Sequence, residues 1–418
     1  MVPLTADDLE KLDQSDRLRS VRDQFELSPD VVYLDGNSLG PLPKATPARL
    51  EKAIRQEWGK DLINSWNKHN WVSLPLTIGA KLAKLVGAGP DEVACCDSVS
   101  VNLYKVLSAA LELRPDRMTI LTEESNFPTD TYIIQGLMRQ LGNHHTLRFC
   151  DPTSLEHPGS SHQLDDSVAV VLLSHVNYVS GRLLDMAAVT SNAYRAGALT
   201  IWDTAHSAGA LPVDLGASGA DFAVGCGYKY LNGGPGAPGW VYVARQHQAG
   251  AQQPLSGWFG HAAPFDFERN FRPAEGIRNQ LCGTPPILSM IALEVGVDLA
   301  CQVPMKHVRD KSNALIRVFL QLTDERLASH GFSVASPRDP SICGSQVCLR
   351  HSNGYPIMQA LVAHKVIGDF RSPDILRFGF CPLYTCFVDV WRAVEVLCDV
   401  MVNKEWDQPE FHKKKAVT

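Results

Sequence analysis

From about residue 75 onward, short apolar runs alternate with amphipathic stretches. A helical stretch at 76–87 leads into a short strand in "EVACC", a Ser-rich turn and a helix opening near Val101. "MTILTEE" reads as a strand, and "NFPTDTYIIQGLMRQLG" as a helix with Pro128 in its first turn, where a missing N–H is harmless. "TLRFCD" and "VAVVLLS" read as strands, "DMAAVTSNAYRAG" as a helix stopped by Gly197, and "ALTIWD" and "DFAVGCG" as strands again. Short apolar strands alternating with helices predict an α/β fold: a mostly parallel central sheet with helices on both faces. Upstream, 7–26 and 44–60 look helical, with "VVYLDGNSLGPLP" as a strand entering a Gly/Pro turn. A long helix over 300–330 leaves the sheet region, and mixed elements follow to about residue 402. The division expected is an N-terminal segment, 1–60, packing with the smaller part; a large domain, 61–300; and a smaller C-terminal α+β domain, 301–418.

Sites in such sheets lie at the carboxyl ends of strands. The residues there are Ser98 and Ser100, Asn126 to Asp130, Ser174 to Asn177, Asp203 with His206, and Tyr228 with Lys229. All are expected on one edge.

The composition, 45% hydrophobic and 20% charged, is that of an ordinary globular chain. A formal net charge of -6 disfavours nucleic-acid and membrane-surface partners, which need clustered positive charge. The basic run Lys413–Lys415 reads as a solvated tail. Eleven cysteines without a C-x-x-C pair suggest free thiols in a reducing cytoplasm and no metal site. No apolar leader opens the chain and no run reaches the ~18 residues of a membrane span.

Asp203 directly after an apolar strand could simply cap the next segment. It could also stabilise a buried cation, with His206 orienting it or stacking on a ring. Lys229 emerges between two tyrosines from "GCGYKYLNGGPGAPGW", an unlikely setting for a surface lysine. It could bind a phosphate or form a Schiff base. Pyridoxal phosphate needs both a lysine for its aldehyde and a carboxylate for its ring nitrogen. The turn at Ser98, Val99 and Ser100 offers backbone N–H groups at a helix start for a phosphate, although plain serine capping would look the same. Phe127 could cover a ring face, and Thr129 or Asp130 could bond its edge.

These motifs, in this order, resemble the fold type I pyridoxal phosphate enzymes, and among them the kynureninase family. "YLDGNSLGP", "NFPTD", "GYKYLNGGPGAPG", "GWFGH", "RNQLCGTPPILSM" and "DILRFGFCPLYTCFVDV" are all similar to that family's motifs, over roughly residues 20–400. The resemblance implies hydrolysis of L-kynurenine to anthranilate and L-alanine, with 3-hydroxykynurenine as a second candidate substrate. It implies pyridoxal 5'-phosphate on Lys229, with Asp203 as the pyridinium partner and His206 nearby. Val99 and Ser100 match the phosphate-side turn, Phe127, Pro128, Thr129 and Asp130 the ring-contacting loop, and Ser174 another cofactor contact. Tyr228, Trp258 and Thr284 match phosphate ligands, the last two reaching in from the second subunit of a homodimer. Tyr228 also stands as a proton donor or base. Arg377 matches the residue holding the substrate carboxylate, a role that suits a guanidinium fork. Trp66, Gly283 and Thr284 match the aryl end of the pocket.

A cysteine desulfurase or aminotransferase of the same fold is the nearest rival. A desulfurase typically has histidine before its lysine, where this chain has Tyr228, and needs a mobile nucleophilic cysteine, for which Cys282 comes closest. An inactive binding protein would have lost Lys229, Asp203 or Arg377, and all three are present. A dinucleotide-dependent dehydrogenase lacks its G-x-G-x-x-G turn here.

Overall fold

The computed structural model describes residues 3–157, 159 and 163–415. Its strands are β1 (Val32–Tyr33), β2 (Val93–Cys95), β3 (Thr119–Glu123), β4 (Thr146–Cys150), β5 (Val168–Ser174), β6 (Leu199–Asp203), β7 (Phe222–Cys226), β8 (Gly239–Val243), β9 (Ser333–Val334), β10 (Gln346–Arg350), β11 (Val366–Ile367), β12 (Asp369–Arg371) and β13 (Ile375–Gly379). Seven of them form the central sheet in the order β2-β8-β7-β6-β5-β3-β4. Strands β3 to β7 run parallel, and β8 runs antiparallel to both of its neighbours.

The period-2 geometry of a strand sends alternate side chains to opposite faces. In β5, Val171 and Leu173 join one core with Trp202, Trp240 and Leu293. Val170 and Leu172 join the other, with Leu103, Val106 and Phe222. Both faces are therefore covered, which is why these strands read as continuous apolar runs rather than alternating ones. Each fully buried Leu, Val or Phe contributes about 1.5–3 kcal/mol of transfer free energy.

A second sheet, β12-β13-β10-β9, is antiparallel and packs with a third core containing Phe319, Phe378 and Phe380. Leu9 from the N-terminal helix Ala6–Ser15 is buried in that same core. Its N-terminus is closed by a reciprocal bond pair between Thr5 and Asp8, a capping box.

Several boundaries differ from expectation. The 7–26 helix stops at Ser15, and a separate 3-10 turn covers Arg19–Gln24. The 44–60 helix is α-helical over Ala45–Lys52 and then widens into a π-helical turn, Ala53–Trp58. The helix expected over 300–330 is two helices, Ile287–Cys301 and Met305–Arg326, meeting at 84°. Pro304 stands at their junction, where it has no N–H to continue the first helix. No single helix among the described residues is long and apolar enough to cross a membrane.

Candidate active site

The ladder places Ser174, the last residue of β5, opposite Asp203, the last of β6, and Asp203 opposite Val224 of β7. Lys229 follows the end of β7 by three residues. The strand ends border a cavity of about 740 Å³, counted out to its mouth. Ser98, Val99 and Ser100 line one part of it, and Phe127, Thr129 and Asp130 another. Ser174, Tyr178, Asp203, His206, Tyr228 and Lys229 complete the wall. Pro128 is the first residue of the helix Pro128–Gln140 and fixes the turn that presents Phe127 and Thr129. Asn126 stands behind the wall, where its Oδ1 accepts from Ser174 Oγ at 2.7 Å. Asn177 is held away from it by Glu123 and Ser125.

The helix Val99–Glu112 begins at the cavity. Ser98 caps it, its Oγ accepting from the Val101 N–H at 3.3 Å. The first N–H groups of a helix have no partner within the helix, so Val99 and Ser100 offer theirs, at the positive end of its dipole, to an anion.

The Lys229 Nζ lies 6.0 Å from the centroid of Phe127 and 5.9 Å from that of Tyr228. Phe127 is braced edge-on by Tyr178 at 5.2 Å. Asp203 is buried and takes the Ala205 N–H on Oδ1 at 2.7 Å; a turn rather than a helix follows, so the bond closes that turn and is not the helix cap expected. Burial pushes its carboxyl up, and the Lys229 cation opposes this. Asp130 is fully buried, and neither of its oxygens has a hydrogen-bond partner. Burial, and then repulsion by Asp203, pushes it well above the carboxylate range. Burial and the nearby Lys229 and Arg377 cations push His206 far down, so it stands neutral, 3.2 Å from the Gln346 Oε1. Burial also raises the Tyr228 phenol, which keeps its proton at neutral pH.

Two glycines bring chain against chain close to Lys229 and the helix start. A Cβ on Gly239 would lie 3.0 Å from the Gly225 carbonyl and 3.1 Å from the Val99 nitrogen. The Gly40 N–H donates to the Tyr228 carbonyl at 2.7 Å, and a Cβ on Gly40 would lie 2.4 Å from the Lys229 carbonyl.

Other expected site residues lie outside this cavity. Trp258 packs edge-on against Phe259 at 4.6 Å and is 37% exposed. Trp66 sits 6.0 Å from the same Phe259, and Gly283 and Thr284 are exposed just ahead of the helix Ile287–Cys301. Arg377, on β13, is 1% exposed. Its Nε and Nη2 grip Asp369, its Nη1 donates to the Tyr178 carbonyl at 3.0 Å, and Nη2 also reaches the Ser38 Oγ at 3.0 Å. The fork expected to meet a substrate carboxylate is thus already held on one edge by Asp369. Sequence reasoning assigned no role to Asp369, Asp35, Ser38, Tyr178 or Gln346. The motif "YLDGNSLGP" held the only available signal, for Asp35 and Ser38.

The donor set fits pyridoxal phosphate: an amine, a buried carboxylate, a ring-sized cleft flanked by Phe127, and a helix start for the phosphate. The two unpartnered oxygens of Asp130 are the observation that most calls for a polar occupant.

Comparison with known proteins points the same way. A family model described as the kynureninase C-terminal domain matches residues 308–397. A kynureninase of Burkholderia mallei is 50% identical over 412 residues, 97% of this chain and 98% of that one. A kynureninase of Pseudomonas fluorescens is 47% identical over 418 residues, 99% and 100% of the two chains. Among solved structures, a cysteine desulfurase of Thermococcus onnurineus superposes with a TM-score of 0.76 at 19% identity, covering 92% of this chain and 98% of its own. A cystine C–S lyase does so at 0.75 and 19%, covering 89% and 98%. A mutant of that lyase carries glycine covalently linked to its pyridoxal phosphate cofactor. At such identities the structural likeness establishes the fold.

Proposed function

Because this chain belongs to the kynureninase family, we propose that the cavity around Lys229 is where it hydrolyses L-kynurenine to anthranilate and L-alanine. The enzyme is a pyridoxal phosphate-dependent hydrolase acting on a carbon–carbon bond next to a ketone. The observation carrying the site assignment is the Lys229 amine, flanked by Phe127 and Tyr228, in one cleft with the buried Asp203 and Asp130.

Pyridoxal phosphate supplies an aldehyde that joins amines and a protonated ring that withdraws electrons from the atoms beside that junction. Lys229 would hold the aldehyde, and its free Nζ would be the group placed to carry a proton from the substrate α-carbon. Asp203, a buried carboxylate in the wall, would hold the ring nitrogen and keep it protonated. Asp130, its carboxyl raised by burial, would offer a hydrogen bond to the ring's edge. Val99 and Ser100 bind the phosphate with backbone N–H groups. Tyr228 retains its proton, so its part is that of a proton donor to the departing fragment, or of a phosphate ligand, rather than a base. Arg377 receives the substrate carboxylate on Nη1 and Nη2 in place of the Tyr178 carbonyl and the Ser38 hydroxyl, while Asp369 keeps its grip on Nε and Nη2.

Trp258 and Thr284 act, in this reading, in the cavity of a second copy, and the active form is a homodimer. Trp58, Leu62 and Ile63 are more than half exposed beside Trp66, Trp71, Ile287 and Leu288, an apolar cleft suited to burial between copies. Trp66, Gly283 and Thr284 then form the aryl end. Residues 61–300 hold the cofactor, and 301–418 with 1–60 bring Arg377 to it. Eleven free thiols favour the cytoplasm. A parallel assay of L-kynurenine and 3-hydroxykynurenine, following anthranilate fluorescence and the visible spectrum, tests the reading. A pure, cofactor-loaded protein that cleaves neither substrate refutes it.

A further inference from the structure

Asp35 follows β1 in the N-terminal loop, beside the Arg377 cluster. Its Oδ1 is buried and has no hydrogen-bond partner. The obvious cations are engaged elsewhere: Arg377 grips Asp369 through Nε and Nη2, and the Arg371 Nη2 reaches the same carboxylate at 2.6 Å. The Ser38 Oγ also donates to Asp369, at 3.0 Å. Two guanidiniums thus face two carboxylates, one well bonded and one not. A substrate carboxylate arriving at Arg377 would be a third negative charge beside two guanidiniums, of which Arg377 is buried and Arg371 is 37% exposed.

We propose that Asp35 is a positioning residue that takes up a proton when a carboxylate docks on Arg377, so that the cluster around the buried Arg377 and Asp369 gains no net negative charge. This rests on the reading of Arg377 as the carboxylate site. The surroundings leave Asp35 as the group able to change. Tyr33 on β1, Tyr230 in the Lys229 turn and Tyr384 after β13 face it, and burial lifts all three phenols above their ordinary range, so they stay neutral. His206 is held neutral by burial and by the Lys229 and Arg377 cations. Asp369 is occupied by two guanidiniums. Asp35 itself is pushed up to about 7, first by burial and then by Asp369, with a hydrogen bond from Ser38 and then the Arg377 and Arg371 cations opposing. An added carboxylate raises it further, and by linkage the carboxylate then binds more weakly as pH rises.

The experiment uses the loaded enzyme and 4-phenyl-4-oxobutanoate, an aryl keto acid that keeps the substrate's carboxylate but has no amine to exchange at Lys229. Calorimetric titration at pH 8, in buffers of different ionisation heat, counts protons taken up on binding. The wild type is expected to take up close to one proton per site, with Kd weakening by up to about tenfold per pH unit above 7. Asp35→Asn, which mimics the protonated form, is expected to take up none and to bind with a flat pH profile. Asp35→Glu is expected to restore the uptake. Arg377-dependent binding without proton uptake by the wild type overturns the proposal alone, whether or not Asp35→Asn folds. Uptake by Asp35→Asn equal to the wild type also overturns it. A probe that fails to bind at millimolar concentration, or that binds Arg377→Ala as tightly as the wild type, overturns the Arg377 reading and this proposal with it.

Discussion

Replacing Gly239 with alanine perturbs the phosphate turn through a single methyl group. Gly239 opens β8, and its N–H donates to the Asp97 carbonyl at 2.6 Å, directly beneath the start of the helix Val99–Glu112. The new Cβ would stand 3.0 Å from the Gly225 carbonyl and 3.1 Å from the Val99 nitrogen. Both neighbours are backbone, one in the middle of a sheet, so relief falls on the turn. Reaching an ordinary carbon contact near 3.5 Å moves the Val99 N–H by about 0.4 Å. A charge-assisted hydrogen bond misplaced in this way costs about 1.5–3 kcal/mol. Cofactor affinity should therefore fall about 10- to 150-fold. Overpacking should also cost the apoprotein about 1–3 kcal/mol of stability. Titrating apoprotein with pyridoxal phosphate, and following the visible band, measures the first effect. Thermal denaturation without cofactor measures the second. A variant whose cofactor Kd stays within twofold of the wild type, while its apoprotein melts lower, would refute the placement of the phosphate at Val99.

Lys229→Ala should abolish turnover and the visible band of the bound cofactor; wild-type turnover by the purified variant would remove that lysine from the reaction. Lys105 has no exposed surface and bonds the Gln280 carbonyl at 2.6 Å and the partly exposed Asp97 at 2.7 Å, so Lys105→Met, which leaves that carbonyl unsatisfied, should cost about 1–3 kcal/mol of stability, read by denaturant unfolding. Asp35 has a native pKa raised above its unfolded value of 3.8, so the folded form binds the extra proton and stability declines as pH rises from about 4 through about 7. The melting temperature of Asp35→Asn, relative to the wild type, should accordingly be higher at pH 8 than at pH 5, and an equal difference at both would count against it. Arg377→Ala should raise KM for kynurenine far more than it lowers kcat, and an unchanged KM would take the guanidinium out of the site.

The edge carrying Ser174, Asp203 and Lys229 was legible because parallel strands in alternation with helices leave their carboxyl ends together, whatever the loops do. β8 was not, since "GWVYV" follows a Gly/Pro-rich run and reads as its continuation. The break at Pro304 lay in plain sight, but the apolar periodicity on both sides outweighed it. The partners of Arg377 were hidden for another reason. Asp369 faces it only through the cross-strand register of β12 and β13, and Asp35 meets the cluster across more than three hundred residues of chain. Neither proximity leaves a mark in local pattern or spacing.

The seating of Gly40 on the carbonyls of Tyr228 and Lys229 carries an implication for anyone preparing this protein. Shortening the amino terminus past that glycine, or splicing a new leader close to it, would loosen the very bend that presents the reactive amine. Damage that looks like a trivial trimming of the ends would then show up as an enzyme that can no longer retain its vitamin.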